Sequence, residues 1–280
     1  MLPGLLLTVA ALAQHPDDIP AIRQKLEQQR QQALSQRMAT AANAEKLMEL
    51  GQWQEARQML QNAKPNAATK LAQAKLAILN NEFAAAEKLV EEVLKANPKL
   101  LEALLLKSRL QVQAWLLPDG RRTAELVLQR EPRNEAAALA VGRVLMLQKK
   151  YDEALQWATK VQDWNPKNAE AYLLESDVHF WNQKPELAEK PLITSLTLNP
   201  FNADARFNYG YAIWRRVDAT QLNNMAAQWE LALELNPLHY VTHWHWGNGH
   251  TNLTYADYAQ PEDEEVRKAL APADKLISEN

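Results

Sequence analysis

Cysteine is absent from the 280 residues, and glycine is scarce at seven. Without cysteine the chain can form no disulfide, use no thiol nucleophile and carry no lipid on an amino-terminal cysteine. Scarce glycine together with abundant alanine, leucine, glutamine and glutamate is a helical composition. A formal net charge of -3 gives no overall attraction to nucleic acid or to an anionic membrane. The composition favours a helical protein whose partners are not nucleic acids.

Sequence patterns of the common catalytic sites are missing as well. The chain contains no glycine-rich phosphate loop, no nucleophile elbow and no pair of carboxylates in a catalytic context. We therefore predict no catalytic residue and no cofactor, and a non-enzymatic binding role becomes the first hypothesis.

The first thirteen residues have the pattern of an export signal. An apolar core from Leu5 to Ala13 ends in a small-x-small triplet suited to signal peptidase, although no Lys or Arg precedes it. The run is too short to span a bilayer. We predict a signal peptide over residues 1–13, maturation near Gln14, and a periplasmic or secreted protein without membrane insertion after cleavage. The alternative is a buried amino-terminal helix in a cytoplasmic protein.

Five prolines mark a repeat. They stand at Pro98, Pro132, Pro166, Pro200 and Pro237, so the intervals are 34, 34, 34 and 37 residues. A fixed period near 34 is typical of stacked helix-turn-helix units, and proline ends each unit because it cannot continue a helix. Small residues recur at the same period where two helices must approach closely: Ala86, Gly120, Ala154 and Ala188.

This period predicts the domain organisation. A helical segment over 14–50 precedes an array over 51–239, which begins with a partial repeat. The complete units are predicted at 67–100, 101–134, 135–168, 169–202 and 203–239. Residues 240–280 diverge, because Asn248-Gly249 favours a tight turn where a helix should continue. This end lacks a clear polar capping helix, which favours a natural protein that continues past Asn280.

Residues 135–168 resemble a tetratricopeptide repeat (TPR), of the kind found in bacterial exported proteins. Gly142, Tyr151, Ala154 and Pro166 occupy the helix A glycine, turn aromatic, helix B alanine and closing proline of that family. The resemblance covers roughly residues 36–240 and implies an all-α, right-handed superhelical solenoid. The chain departs from the family at the first aromatic position of each unit, which is occupied by Lys70, Leu104, Ala138, Tyr172 and Arg206.

The resemblance also implies a binding surface, because in TPR proteins one face of helix A lines a concave groove that receives a partner peptide. On that face the first half of the array carries cations and the second half carries aromatic residues. We expect a protein or an extended peptide as the partner, with its acidic groups against the cations. The alternative is that the aromatic residues are core and the cations merely solvated. The candidates are Lys75, Arg109, Arg143, Phe180, Trp181, Phe207, Tyr211, Trp214 and Trp244.

The family's chaperone-binding clamp needs particular Lys and Asn combinations that these units lack, so we predict no chaperone binding. Two further hypotheses remain open. Segments after residue 200 resemble the repeat regions of secreted bacterial proteins that carry a peptidase-like domain downstream, so the chain could be the TPR portion of a larger enzyme. A histidine cluster could alternatively form a metal-binding module. Its members are His239, His243, His245 and His250.

Overall fold

The computed structural model describes residues 15–36, 38–216 and 219–247. The signal peptide predicted over 1–13 lies outside these residues. So does the part of the divergent segment 240–280 that follows residue 247. The chain divides into two compact units between Leu238 and His239. Within the described residues every regular element is a helix, so the predicted all-α repeat solenoid is confirmed.

In the described part of the first unit thirteen α-helices follow one another, and a short 3-10 turn, Ala219–Gln221, precedes the last. They are α1 Ile19–Leu34, α2 Ala41–Glu49, α3 Trp53–Asn62, α4 Ala67–Leu79, α5 Phe83–Ala96, α6 Leu101–Gln113, α7 Leu117–Leu128, α8 Glu135–Leu147, α9 Tyr151–Trp164, α10 Ala169–Trp181, α11 Pro185–Leu198, α12 Ala203–Arg215 and α13 Leu222–Leu235. In the second unit, residues 240–247 are helical.

Asparagine determines where most first helices of the units begin. The side chains of Asn66, Asn134, Asn168 and Asn202 each accept a hydrogen bond from the backbone N–H three residues later. This satisfies a donor that the helix itself leaves without a partner. Asparagine thus recurs at these positions because it caps the amino-terminal end of each helix.

The turn inside four of the complete units uses a left-handed residue. Asn81, Trp115, Lys149 and Gln183 have φ near 60° and recur every 34 residues. Asparagine tolerates this conformation, whereas a bulky side chain such as that of Trp115 is strained in it. The backbone geometry is therefore repeated even where the residue type does not favour it.

Small residues let the helices approach closely. Ala86, Ala154 and Ala188 are fully buried between paired helices. A Cβ atom added to Gly142 would lie 2.6 Å from Leu174 Cδ2, which is closer than real Cβ atoms come. The core of the array is thus a continuous series of apolar contacts between neighbouring units, as a repeat architecture requires.

The two ends of the array also contact each other. Leu231 and Leu235 of α13 belong to the same apolar cluster as Ile22 and Leu26 of α1 and the buried residues of α2 and α3. Gly51, in the turn between α2 and α3, has φ +76°, and a Cβ atom there would overlap the backbone oxygen of Glu234. The amino-terminal helices therefore pack directly on the last pair of helices.

Candidate functional site

A cavity of about 510 Å³ lies where the ends of the array meet. One wall comes from α2 and α3 and includes Glu45, Leu50 and Trp53. The opposite wall comes from the start of α12 and the end of α13 and includes Phe201 and Asp204. Two predicted groove residues, Lys75 and Arg109, line the cavity between these walls together with Glu170.

Lys75 is held by two carboxylates of neighbouring helices. Its Nζ lies 2.9 Å from an oxygen of Glu45 in α2 and 2.7 Å from one of Glu102 in α6. Burial alone would lower the pKa of Lys75, but its hydrogen bonds to Glu102 and Glu45 outweigh burial and raise that pKa. Lys75 therefore joins three helices and has its charge compensated within the chain.

Arg143 is compensated in a similar way. Its guanidinium forms an ion pair with Glu170 of α10. Glu170 also accepts a hydrogen bond of 2.7 Å from the amide of Asn202. Burial lowers the pKa of Arg143, yet the negative charges of Glu170 and Asp177 outweigh it, and the pKa is raised. Arg143 therefore stays charged at all physiological pH values.

Arg109 differs from the other two cations. Its side chain is exposed to the cavity, and among the described residues it forms no hydrogen bond and no ion pair. Burial, followed by repulsion from Arg143, lowers its pKa, while the charges of Asp204 and Glu170 act in the opposite direction. An arginine keeps its charge despite such a shift. Arg109 is thus a charged donor with unused hydrogen-bonding capacity.

Asp177 occupies the position in α10 that Arg143 occupies in α8. Its carboxylate accepts a hydrogen bond of 2.6 Å from the amide of Asn208. Burial raises the pKa of Asp177 to about 7, with Arg143 pulling in the opposite direction and Asp204 adding to the rise. The carboxyl group therefore changes its protonation near neutral pH.

The predicted aromatic residues form a chain of ring contacts at the second half of the array. Tyr211 lies with its ring centroid 6.0 Å from those of Phe180 and Phe207, and 5.7 Å from that of Trp214. Phe207 is only 8% exposed and stacks on the buried Trp229. Much of the surface of these rings is therefore in contact with neighbouring rings of the same group.

Trp181 is placed differently from the other aromatic residues of the array. It is 48% exposed at the carboxyl end of α10. No ring contact joins it to Tyr211 among the described residues. The structure thus does not bring all the predicted groove residues to one place.

The second unit contains the remaining predicted residues. Trp244 is 63% exposed, and its ring centroid lies 4.6 Å from that of His245, whose pKa burial lowers. His239 Nδ1 lies 2.6 Å from Thr242 Oγ1. The described part of the chain contains no group of three or more side chains placed to hold a metal ion. The fourth member of the cluster, His250, lies outside the described residues.

The structure assigns a role to one residue that sequence reasoning treated only as a departure from the family pattern. Arg206 is fully buried and donates to the backbone oxygens of Pro16 and Pro200 and to the side-chain oxygen of Gln228. Burial lowers the pKa of Arg206 to about 10. A cation where the family has an aromatic residue was the available signal, but its partner at Pro16 is 190 residues away.

No helix within residues 15–36, 38–216 and 219–247 has both the length and the apolar character needed to cross a bilayer.

Known proteins resemble this chain in sequence over one part and in fold over a larger part. The family model described as tetratricopeptide repeat matches residues 109–169. A thermophilic TPR protein of Thermus thermophilus superposes with a TM-score of 0.56 at 21% identity, over 65% of this chain and 98% of its own. A tetratricopeptide repeat protein of Parabacteroides merdae superposes with a TM-score of 0.56 at 17% identity, over 80% of this chain and 90% of its own.

No curated protein matches the sequence significantly. At these identities the two structural similarities show the fold alone. The chain is therefore an all-α helical repeat solenoid in which residues 109–169 match the tetratricopeptide repeat family.

Proposed function

We propose that this chain is a non-enzymatic TPR scaffold that binds a segment of another protein, or a peptide, in the cavity between the ends of the array. TPR solenoids are generally protein-binding folds, which supports the class of function. The observation that carries the specific proposal is Arg109, which is charged, faces the cavity and has no ion-pair partner among the described residues. A carboxylate of the partner would accept hydrogen bonds from the guanidinium of Arg109 and form an ion pair with it.

The neighbouring charges narrow the kind of segment that fits. Lys75 and Arg143 are already neutralised by Glu45, Glu102 and Glu170. Lys46, which also lines the cavity, is paired with Glu49 at 3.2 Å. Among the described residues of the lining, a run of acidic residues would therefore meet one unpaired cation and several carboxylates, and repulsion would oppose it. A single carboxylate, from an acidic side chain or a chain terminus, avoids that repulsion. The predicted ladder of three binding cations thus reduces, in this proposal, to Arg109 with two structural neighbours.

The remaining lining of the cavity favours an apolar residue beside that carboxylate. Trp53, Leu79 and Phe201 provide apolar and aromatic surface, and the amides of Asn199 and Asn236 can hydrogen-bond to a peptide backbone. Aromatic residues and arginine are enriched among the residues that dominate binding energy.

A site-specific photo-cross-linking experiment tests this proposal. A photoreactive amino acid replaces Phe201 on the cavity wall, and the protein is irradiated in its native host. We expect a discrete cross-linked partner that disappears when Arg109→Glu is added. Lys107→Glu is the matched control, because Lys107 is exposed on the same helix and undergoes the same change of charge. Equal cross-linking in the two variants would contradict the role of Arg109.

The proposed location is the periplasm or the exterior of the cell, after removal of residues 1–13. The amino-terminal sequence of the purified native protein tests this part separately. We expect a mature terminus near Gln14, and an intact Met1 would contradict export through this segment.

A further inference from the structure

The segment before α1 occupies a site formed by the last pair of helices. The buried backbone oxygen of Pro16 accepts hydrogen bonds of 2.9 Å from Arg206 Nη1 and of 2.9 Å from Gln228 Nε2. Asp17 accepts a hydrogen bond of 2.8 Å from Asn224 and forms a second one with Tyr209. Four polar side chains of α12 and α13 thus converge on two consecutive residues.

Arg206 makes this site unusual for the interior of a repeat array. A buried guanidinium is costly unless hydrogen bonds replace the water that it loses. Here Nε and Nη1 donate to the oxygens of Pro16, Pro200 and Gln228, while the buried Nη2 has no hydrogen-bond partner among the described residues. The equivalent positions in two other units, Leu104 and Ala138, are buried apolar residues that need no such partners. An arginine at this position is therefore explained by the segment that it holds.

Helix α1 continues the contact along α13 with charged groups. Arg23 pairs with Glu230 at 3.0 Å and donates to Glu234 at 2.8 Å, and these side chains are between 35% and 51% exposed. Arg30 donates to the backbone oxygen of Glu234 at 3.0 Å and to that of Leu50 at 2.8 Å. Arg30 therefore connects α1 both to the last helix and to the end of α2.

These contacts place α1 across the two walls of the cavity. Leu50 belongs to one wall and Leu235 to the other, and the buried side chains of Ile22 and Leu26 join the apolar cluster that contains both. The cavity keeps its two walls together only while the ends of the array are in contact. The α1–α13 contact combines this buried apolar part with the ion pairs of Arg23, which are partly exposed and are the part that water and salt weaken most.

We propose that residues 15–34 are a displaceable strap that holds the cavity closed, with Arg206 as its anchor on the last pair of helices. Release of the strap separates the walls and opens the concave surface to longer partner segments. That effect on partners rests on the proposed function, whereas the opening itself does not depend on any partner.

The absence of cysteine allows the opening to be measured with two spin labels in the intact chain. One pair, Gln28→Cys and Asn223→Cys, spans the strap and α13 at exposed positions. A release variant combines Asp17→Ala with Arg23→Glu, so that the strap changes and its receiving site does not. We expect a second, longer distance population, enriched at least about tenfold over the wild type, because two attractions become a loss and a repulsion.

Two controls keep this measurement specific. Labels at Lys107→Cys and Asp163→Cys lie on exposed positions of α6 and α9 and should report one unchanged distance. Lys25→Glu makes the same charge change as Arg23→Glu on an exposed position of the strap and should leave the closed distance unchanged. A release variant that is folded but shows only the closed distance would overturn the proposal.

A peptide of residues 15–34 carrying a fluorophore provides an independent measurement. It should bind the release variant with a Kd at least about tenfold lower than the wild type, in which the chain's own strap occupies the site. Equal binding to both proteins, or to neither, would count against a displaceable strap. Loss of the cross-linked partner in an opened variant would contradict the binding of longer segments to the opened surface, whereas the strap itself is tested by the distance measurement without any partner.

Hydrogen exchange on the unmodified protein covers the case in which the release variant fails to fold. We expect amides of α1 to exchange at least about tenfold faster than those of α8, because strap opening exposes α1 without unfolding the array. Equal protection of the two helices would overturn the proposal.

Discussion

The regular units and the closure between the ends of the array are stabilised by different chemistry. Between α4 and α11, small buried residues such as Ala86 and Ala154 allow apolar helix faces to stack. At the closure, a buried arginine, a buried glutamine and partly exposed ion pairs join residues that are between 190 and 212 positions apart in the sequence. Periodic apolar contacts thus build the array, while departures from the period decide how it closes.

The largest effect should follow from removing the anchor of the closure. Arg206→Ala removes the arginine donor from the oxygens of Pro200 and Gln228, leaves the Pro16 oxygen with Gln228 as its remaining donor, and creates a cavity. We expect this to reduce the free energy of unfolding by about 3 kcal/mol. Denaturant titration measures this change. Arg215→Ala on the exposed end of the same helix should change it by less than about 0.5 kcal/mol. Equal effects would mean that the closure does not depend on the buried arginine.

The two kinds of region can also be compared through their glycines. In Gly51→Ala the new methyl group meets the backbone oxygen of Glu234 at a φ of +76°, so neither the turn nor α13 can move easily. In Gly142→Ala it meets the end of the flexible Leu174 side chain. We expect losses in the free energy of unfolding of about 2–3 kcal/mol and about 1 kcal/mol, respectively.

Thermal and denaturant melts of both glycine variants measure this difference. A larger loss in the free energy of unfolding for Gly142→Ala than for Gly51→Ala would contradict this expectation. It would mean that the regular array tolerates an added methyl group less well than the closure does.

The sequence allowed the array to be predicted because its information is local and repeated. Prolines recur at intervals of 34 or 37 residues and small residues at intervals of 34, and each needs only its neighbouring unit to be understood. The closure could not be predicted in this way, because Arg206 and Pro16 are far apart in sequence and neither repeats. Arg206 stood out as a departure from the TPR pattern, but a departure does not identify its partner.

The cations of the predicted groove show the same limit at the level of a site. The spacing of Lys75, Arg109 and Arg143 placed them on one face of successive helices. Their different states depend on Glu45, Glu102 and Glu170, which come from other helices and other positions in the unit. Whether a cation is available to a partner is a property of the packed structure, because it depends on whether a carboxylate of another helix already forms an ion pair with it.

Asp177, inside the array, should make the free energy of unfolding depend on pH. Because its folded-state pKa of about 7 lies above the ordinary value of 3.8, the folded protein binds this proton more tightly than the unfolded chain. The free energy of unfolding should therefore fall as pH rises from about 4 to about 7. Asp177→Asn removes this dependence, and since the side chain is partly exposed we expect a gain of about 1–2 kcal/mol at pH 8.

Melts of the wild type and of Asp177→Asn at pH 4 and pH 8 measure the effect. The two proteins should have similar stability at pH 4 and differ at pH 8. A constant difference across this range would show that Asp177 does not carry the dependence.

The smallest effect concerns the left-handed turn that four of the regular units share. The backbone of Trp115 has φ 62°, a conformation that is strained for a bulky residue. The side chain is 64% exposed, so its burial contributes little stability. Trp115→Asn should raise the free energy of unfolding by up to about 1 kcal/mol, because asparagine tolerates the left-handed conformation. The reciprocal change, Asn81→Trp at the same position of the preceding unit, should lower it by a similar amount. A loss of stability in Trp115→Asn would instead mean that the exposed ring makes a stabilising contact, and the turns of the regular array would then not be interchangeable between units.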